Sequence, residues 1–355
     1  MEFLTKQTYI SIDIEAALIR GKQYCIEIGA VKYQPDGAID TFSQLIQPYK
    51  FKKLNRHITA LTGITSEQLY DAPSFKDVMR DFKAWCGEKA VFLTFGEFDR
   101  KVLEDECTRN RLSAKFLFPM IDYQQKLMIH SKVKEQPSLA RMMEQLGLEA
   151  EVAHRALADA DSLRQIFIST KGEDIIKSQQ TDRLTMVISS LKPNEHHYDL
   201  MIGCIGCRVT RKGVEVEEQK FLFEKLDFEE IQKEREGENG EKILSTTTKI
   251  IPSEIVKQEL HRIVGKMAQE VVLTRNGMRS LAKIFKLHGV QMPKTEVMSW
   301  QFLMQSEEAS NVFSFNDESP AIYEAKVLSL LKKNERYIIE EFEKRALFPE
   351  ETKVR

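Results

Sequence analysis

Thr8-Tyr9-Ile10-Ser11-Ile12-Asp13-Ile14-Glu15 is the stretch on which the fold turns. Ile10, Ile12 and Ile14 fall on one face and Ser11, Asp13 and Glu15 on the other, which is the period of two of a β-strand. Two carboxylates two residues apart on a strand leave the same face about 7 Å from each other, close enough to hold one hard cation between them. Taken alone, the pair reads more readily as two solvent-facing acids on an edge strand. Working outward, a second strand runs from Tyr24 to Tyr33, turns at Pro35-Asp36-Gly37 and returns as a third from Ala38 to Pro48, an antiparallel meander. Helical patterns follow over Ser66 to Tyr70 and, behind Pro73, over Ser74 to Cys86. A short strand then covers Ala90 to Thr94 and a helix about Phe98 to Asn110; further helices begin after Pro137-Ser138 and cover Ala156 to Ile168. Strands followed by helices alternating with short strands predict an α/β mixed sheet with helices packed on it.

The chain has 355 residues, 42% of them hydrophobic, a length that favours two domains over one. Lys plus Arg number 52 and Asp plus Glu 54, a net charge of −2 that excludes a strongly basic coat, so a nucleic-acid role has to rest on a local site. Five cysteines form an odd, sparse set rather than a disulfide framework, and the expectation is a reducing, cytoplasmic compartment. No stretch approaches the roughly 18 uncharged apolar residues of a membrane span, and the first residues run into a strand pattern rather than a signal core. Thr170 to Arg183 carries little apolar periodicity and reads as a soft domain boundary. The charged stretch Glu229 to Lys242 reads as a solvated, mobile loop.

Two further acid positions stand out. Asp99 follows the apolar run Val91-Phe92-Leu93-Thr94-Phe95-Gly96 at the start of a helix, where the dipole alone favours an acid. In Ala153-His154-Arg155-Ala156-Leu157-Ala158-Asp159-Ala160-Asp161, the histidine precedes Asp159 by five residues, about 140° of rotation on a continuous helix. His154 is therefore better used in the loop entering the helix, with Asp159 in its first turns. By itself a histidine at a helix entrance is usually a surface or capping residue.

In this order the pieces resemble the DEDDh branch of the DnaQ-like 3′-to-5′ exonucleases: D-x-E on a first strand, an acid opening a helix after a later strand, and H-x-A-x-x-D-A on a final helix. Cys25-Ile26-Glu27-Ile28-Gly29-Ala30-Val31 resembles the family's second strand. Leu61-Thr62-Gly63-Ile64-Thr65 with Ala72-Pro73-Ser74-Phe75 resembles its TGIT and A-P-x-F signature. The Gly96-x-x-Asp99 form is most similar to the branch holding histone-mRNA exonucleases and bacterial KapD-like proteins. The resemblance covers residues 1 to about 172 and implies a ribonuclease H-like fold in which Asp13, Glu15, Asp99 and Asp159 hold two divalent cations, Mg²⁺ or Mn²⁺, with His154 as general base. Carboxylates are hard donors suited to such ions, and two ions can promote in-line displacement at a phosphodiester. The implied substrate is a single-stranded nucleic-acid 3′ end, RNA ahead of DNA, released as nucleoside 5′-monophosphates. The same resemblance implies that Ile14, Ala16 and Leu18 (or Ile19) contact the terminal nucleotide. Here the chain departs from the family: Ala16-Ala17-Leu18 stands where many relatives have a threonine pair and glycine. Phe95 is either a base-stacking platform or core, core being favoured.

Residues 181 to 350 read as a diverged copy of the same domain, so the fold is expected to be duplicated. At an offset of 177, Thr185-Met186-Val187-Ile188 matches Thr8-Tyr9-Ile10-Ser11 and Ile205-Gly206 matches Ile28-Gly29. Pro252-Ser253 leads to Val271-Val272-Leu273-Thr274 as Pro73-Ser74 leads to Val91-Phe92-Leu93-Thr94. In that alignment Asp13, Glu15 and Asp99 map to Ser190, Lys192 and Arg279, and the last cluster, Ser319 to Ala325, keeps one acid and no histidine. The copy is then catalytically silent and expected to dock as a pseudo-dimer within the chain. Cys204-Ile205-Gly206-Cys207 lacks a second pair or histidine partners and reads as core. A different class of function stays open: a regulatory module binding nucleic acid or protein, with incidental nuclease activity.

Overall fold

The computed structural model describes residues 5–133, 135–149, 154–236, 242–274, 279–299 and 320–348. The chain divides into two compact units, Met1–Gln180 together with Phe342–Arg355, and Thr181–Glu341.

In the first unit β1 (Tyr9–Ile19), β2 (Lys22–Tyr33) and β3 (Ile39–Leu45) form the expected meander. Helices α1 (Arg56–Thr62), α2 (Ser66–Tyr70) and α3 (Phe75–Cys86) lead to β4 (Val91–Thr94), and α4 (Phe98–Arg109) leads to β5 (Met120–Asp122). Then come α5 (Tyr123–Ser131), α6 (Leu139–Gln145), α7 (Ala156–Ser169) and α8 (Gly172–Ser178). The starts of α1, α2, α3 and α6 are fixed by Asn55, Thr65, Ser74 and Ser138, whose side-chain oxygens accept from first-turn backbone N–H groups. The two units divide between Gln180 and Thr181, within the stretch 170–183, and helix α8 fills its first half. Its charged text hides Ile175 and Ile176, both buried.

The sheet order is β3-β2-β1-β4-β5, with β4 parallel to β1 and β5 parallel to β4. β1 is thus central, and the edge-strand alternative for its acids falls. Ile10, Ile12 and Ile14 pack with Ile28, Val78, Phe82 and Val102 on the α3–α4 side. Tyr9, Tyr33 and Leu93 pack with Leu163, Ile166 and Phe167 of α7 on the other. Ser11, Asp13 and Glu15 therefore point to the α7 side of a sheet covered on both faces.

Gly29 sets how closely α7 can lie on that sheet. It pairs with Asp13 in the β1–β2 register, and a Cβ there would stand 2.1 Å from the backbone carbonyl carbon of Ala156 and from the Leu157 nitrogen. Only a residue without a side chain permits this approach. The register shifts between Glu15 and Ala16, a bulge of the kind that re-aims side chains next to functional sites.

The second unit contains β6 (Arg183–Pro193), β7 (Tyr198–Thr210), β8 (Gly213–Leu226), β9 (Phe228–Glu236), β10 (Lys242–Ile250), α9 (Glu254–Met267), β11 (Val271–Thr274), α10 (Arg279–Leu287), β12 (Val297–Ser299) and α11 (Pro320–Lys333). The last helix is α12 (Glu335–Lys344). Its five-stranded sheet runs β12-β11-β6-β7-β8, and every neighbouring pair keeps the direction of its counterpart in the first sheet. The topology is therefore duplicated. The stretch 229–242 is not a loop throughout: Phe228–Glu236 and Lys242–Ile250 pair as an antiparallel ribbon, with Glu229 opposite Lys249 and Glu236 opposite Lys242.

Register also corrects the alignment of the copies. Tyr9 pairs with Val91 as Leu184 pairs with Val271, and Asp13 pairs with Gly29 as Ile188 pairs with Gly203. Gly203, not Gly206, is the counterpart of Gly29. Ile188 and Ser190, not Ser190 and Lys192, stand where Asp13 and Glu15 stand. The text match had slipped two residues on one strand and three on the other, and an odd slip puts side chains on the wrong face. Arg279 opens α10, but its side chain lies outside the described residues, as do residues 300–319 and the side chain of Glu324 in α11. Cys204 and Cys207 are buried and free, as core residues are.

Candidate active site

Three of the four expected carboxylates converge. Asp13 and Glu15 reach from β1 and Asp159 from the first turn of α7, each offering an oxygen within 4.8 Å of the others. None of the three has an ion-pair partner among the described residues. At that separation each pair of charges repels by about 3 kcal/mol at an effective dielectric near 20. Burial pushes Asp13 well above the carboxylate range, and repulsion from Asp99, Asp159 and Glu15 adds to it. Glu15 is pushed up to about 8, by burial first and then by Asp159 and Glu27, with Arg155 opposing. Asp159 is raised by burial and pulled back by His154.

Asp99 stands beside this trio rather than within it. It is buried in the first turn of α4 and accepts from the Ile14 N–H at 3.3 Å, a donor beyond the last β1–β4 pair at Ser11. Burial raises Asp99 to about 7 against the lowering effect of that hydrogen bond, with Asp122 and Asp159 adding repulsion.

His154 is exposed in the segment entering α7, where the expectation put it, with a left-handed φ of 39°. Ala153 before it lies outside the described residues. Among the expected nucleotide contacts, Ile14 is buried and Ala16 half-buried, whereas Leu18 is 65% exposed on the same strand. Phe95 packs half-buried against the α7-side core, in keeping with the core alternative.

Two positioning acids were missed in the sequence. Glu27, 1% exposed on β2, accepts from the Arg155 guanidinium at 2.5 Å and from the Ala156 N–H at 3.2 Å, so it holds the entrance of α7. A lone acid in the apolar run of β2 was its signal, since a buried charge has to be paired. Asp122 accepts from the Gly96 N–H at 3.0 Å and caps α5, tying down the turn that delivers Asp99. Its signal was weak, because β5 is only three residues long.

The donor set fits divalent cations: hard oxygens, convergent, half-buried and without an ion-pair partner among the described residues. A cavity of about 920 Å³ lies at the opposite end of β4, lined by Arg80, Lys83, Lys89, Lys115, Phe116 and Phe118 among others, and includes none of these acids. The carboxylates, not that hollow, carry the perturbed chemistry.

A stability consequence follows from the raised acids. A carboxyl whose folded pKa exceeds its unfolded value binds protons more tightly in the folded state. Its favourable contribution is complete below about pH 4 and is lost as pH rises through about 7 to 8. Cation-free protein is expected to melt about 5 °C lower at the alkaline end of this window than at its acidic end. Mn²⁺ or Mg²⁺ should restore the difference, as followed by thermal melts with and without chelator.

Comparison with known proteins agrees with the geometry. The exonuclease family model RNase_T matches residues 10–167. The chain is 28% identical over 173 residues to the probable 3′-5′ exonuclease KapD of Bacillus subtilis, covering 46% of this chain and 84% of that one. It is 31% identical over 165 residues to the DNA polymerase III subunit epsilon of Aquifex aeolicus, covering 45% of this chain and 79% of that one. It is 29% identical over 179 residues to the PolC-type DNA polymerase III of Bacillus subtilis, of whose length it spans only 11%. Among solved structures, the nuclease domain of 3′hExo, a DEDDh family member bound to rAMP, superposes with a TM-score of 0.44 at 26% identity. That superposition covers 47% of this chain and 92% of the other. With the family model spanning the first sheet and its acids, and the Aquifex subunit matched over most of its own length, the chain belongs to the DnaQ-like exonucleases of the DEDDh type.

Proposed function

We propose that residues 1–172 form a metal-dependent 3′-to-5′ exonuclease domain that removes nucleoside 5′-monophosphates from single-stranded 3′ ends, RNA ahead of DNA. The observation that carries this reading is the convergence of Asp13, Glu15 and Asp159 within 4.8 Å, none of them in an ion pair among the described residues. These three with Asp99 would hold two divalent cations, Mg²⁺ or Mn²⁺, which supply Lewis acidity to the attacking water and to the departing 3′ oxygen. His154, exposed at the mouth of the site and felt by Asp159, accepts the proton of that water. Leu18 offers an exposed apolar edge to the terminal nucleotide, whereas the side chains of Ile14 and Ala16 pack with the core on the α3–α4 side and offer it none. Five buried free cysteines accord with a reducing, cytoplasmic compartment, and among the described residues no helix is long and apolar enough to cross a membrane.

Residues 181–350 are in this reading a catalytically silent copy. Ile188 and Ser190 at the positions of Asp13 and Glu15 leave β6 no paired carboxylates there. The test is direct: 3′-labelled and 5′-labelled single-stranded RNA and DNA, incubated with Mn²⁺ or Mg²⁺ or with chelator. The expected result is stepwise shortening from the 3′ end and nucleoside 5′-monophosphate product only when cation is present. Undiminished cleavage in chelator, or internal cuts, would refute it.

A further inference from the structure

No Asp or Glu occurs between Asp40 and Glu67, yet the interval holds Lys50, Lys52, Lys53 and Arg56. In a chain of net charge −2 this is a concentrated positive strip, and all four side chains are exposed. None of the four has an ion-pair partner among the described residues. Exposed lysines on a loop are commonly mere solvation, but three features separate this segment from that reading.

The first is anchorage. Phe51, Leu54 and Ile58 pack with Ala17, Ile19 and Ile26, so the strip is fastened to the end of β1 that follows Glu15. Ala17 lies two residues beyond Glu15, about 7 Å along the strand. The second is order. The Leu54 N–H donates to the Ser66 hydroxyl at 3.0 Å, and the Tyr70 hydroxyl donates to the Lys52 carbonyl, tying the segment to α2 at two points. The third is the company of rings. Tyr49 is 69% exposed with the Lys50 ammonium 5.1 Å from its ring centre, and Tyr70, also exposed, stands 5.4 Å from Phe51.

A row of exposed cations beside exposed aromatic rings suits a single strand: phosphates meet the charges and unpaired bases meet the rings, with no demand on sequence. We propose that the segment from Tyr49 through Arg56 is a track for the single-stranded nucleic acid lying upstream of the 3′ terminus held at the carboxylates. This rests on the exonuclease reading and deepens it. The carboxylate site takes the terminal phosphodiester through cations, and the track takes the rest of the strand through fixed side-chain charge.

The test replaces Lys50, Lys52, Lys53 and Arg56 together by serine in the full chain, alongside a control in which Lys83, Lys89 and Lys115, at the opposite end of β4, become serine. Binding of a labelled single strand of ~12 nucleotides is followed by anisotropy in chelator across a salt series. The track variant is expected to bind at least ~10-fold more weakly at fixed salt, and its log-log salt slope is expected to fall by about 3, roughly 0.7 for each of four phosphate contacts. The control should keep the wild-type slope. Equal losses in both variants, or an unchanged slope in the track variant with its melting temperature intact, overturn the track. Hydrolysis of the p-nitrophenyl ester of thymidine 5′-monophosphate by wild type with Mn²⁺ reads the carboxylates alone, since so short a substrate cannot reach the strip. Wild type that cleaves neither ester nor strand, while the track variant still loses the slope, overturns the nuclease reading and the placement of the 3′ terminus and leaves only the strand binding by Lys50 to Arg56 standing.

Discussion

Asp13→Asn is expected to abolish strand shortening, by at least ~10³-fold in kcat, while raising the melting temperature of cation-free protein at alkaline pH. The two outcomes have one cause. Asp13 is the acid on which burial and the charges of Asp99, Asp159 and Glu15 all act in the same direction. Removing its charge relieves that repulsion and with it the need for a cation. An asparagine amide keeps the shape and one acceptor oxygen, so the fold has no reason to suffer. Activity is measured on labelled single strands with Mn²⁺, stability by melts across the pH window of Glu15 and Asp99. The variant should also flatten the pH dependence and blunt the gain from added cation. A variant that loses activity and melts much lower would show instead that Asp13 supports the fold.

Gly29→Ala is expected to be the most damaging methyl group that can be added to the first sheet. The new Cβ would sit 2.1 Å from two backbone atoms at the start of α7, so the helix has to move by more than ~1 Å. Backbone cannot swing aside as the tip of a side chain can. The stability loss should reach about 3 kcal/mol, read by denaturant unfolding. Asp159, three residues past Ala156, would leave its place beside Asp13 and Glu15, and a displacement of that size costs about 10²-fold in rate. The distinguishing result is that activity falls even under conditions where the variant is fully folded. Wild-type kcat in folded Gly29→Ala would mean that α7 has more freedom over the sheet than its contacts imply.

Much of the first unit was legible in its text because its signals are local. The alternation of Ile10, Ile12 and Ile14 names a strand, but acids at 13 and 15 taken alone read more readily as solvent-facing, and only their order with the later acids and His154 pointed to a cation site. Asp99 and Asp159 were legible through their order and spacing. What escaped were relations between distant positions. Glu27 looks like one polar letter in an apolar strand until Arg155, 128 positions away, is found against it. Asp122 acquires meaning only when β5 lines up beside β4 and brings it to the Gly96 N–H. Helix α8 was hidden because most of its residues are polar and two isoleucines do the packing. The ribbon of β9 and β10 was hidden for a related reason: backbone pairing across two strands needs no apolar periodicity along either. Even the duplication, visible in the text, was misregistered until hydrogen-bonded pairs fixed which residue faces which.

The exchange of Asp13 and Glu15 for Ile188 and Ser190 has a consequence for how such a chain ages in a cell. The first sheet carries a cluster of like charge that protons relieve at low pH and that, on the proposed function, divalent cations would relieve at neutral and alkaline pH. The second sheet, with an isoleucine in the corresponding slot, has no such debt. On the proposed function, scarcity of metal would thus loosen the first unit while leaving the second unit's stability unchanged.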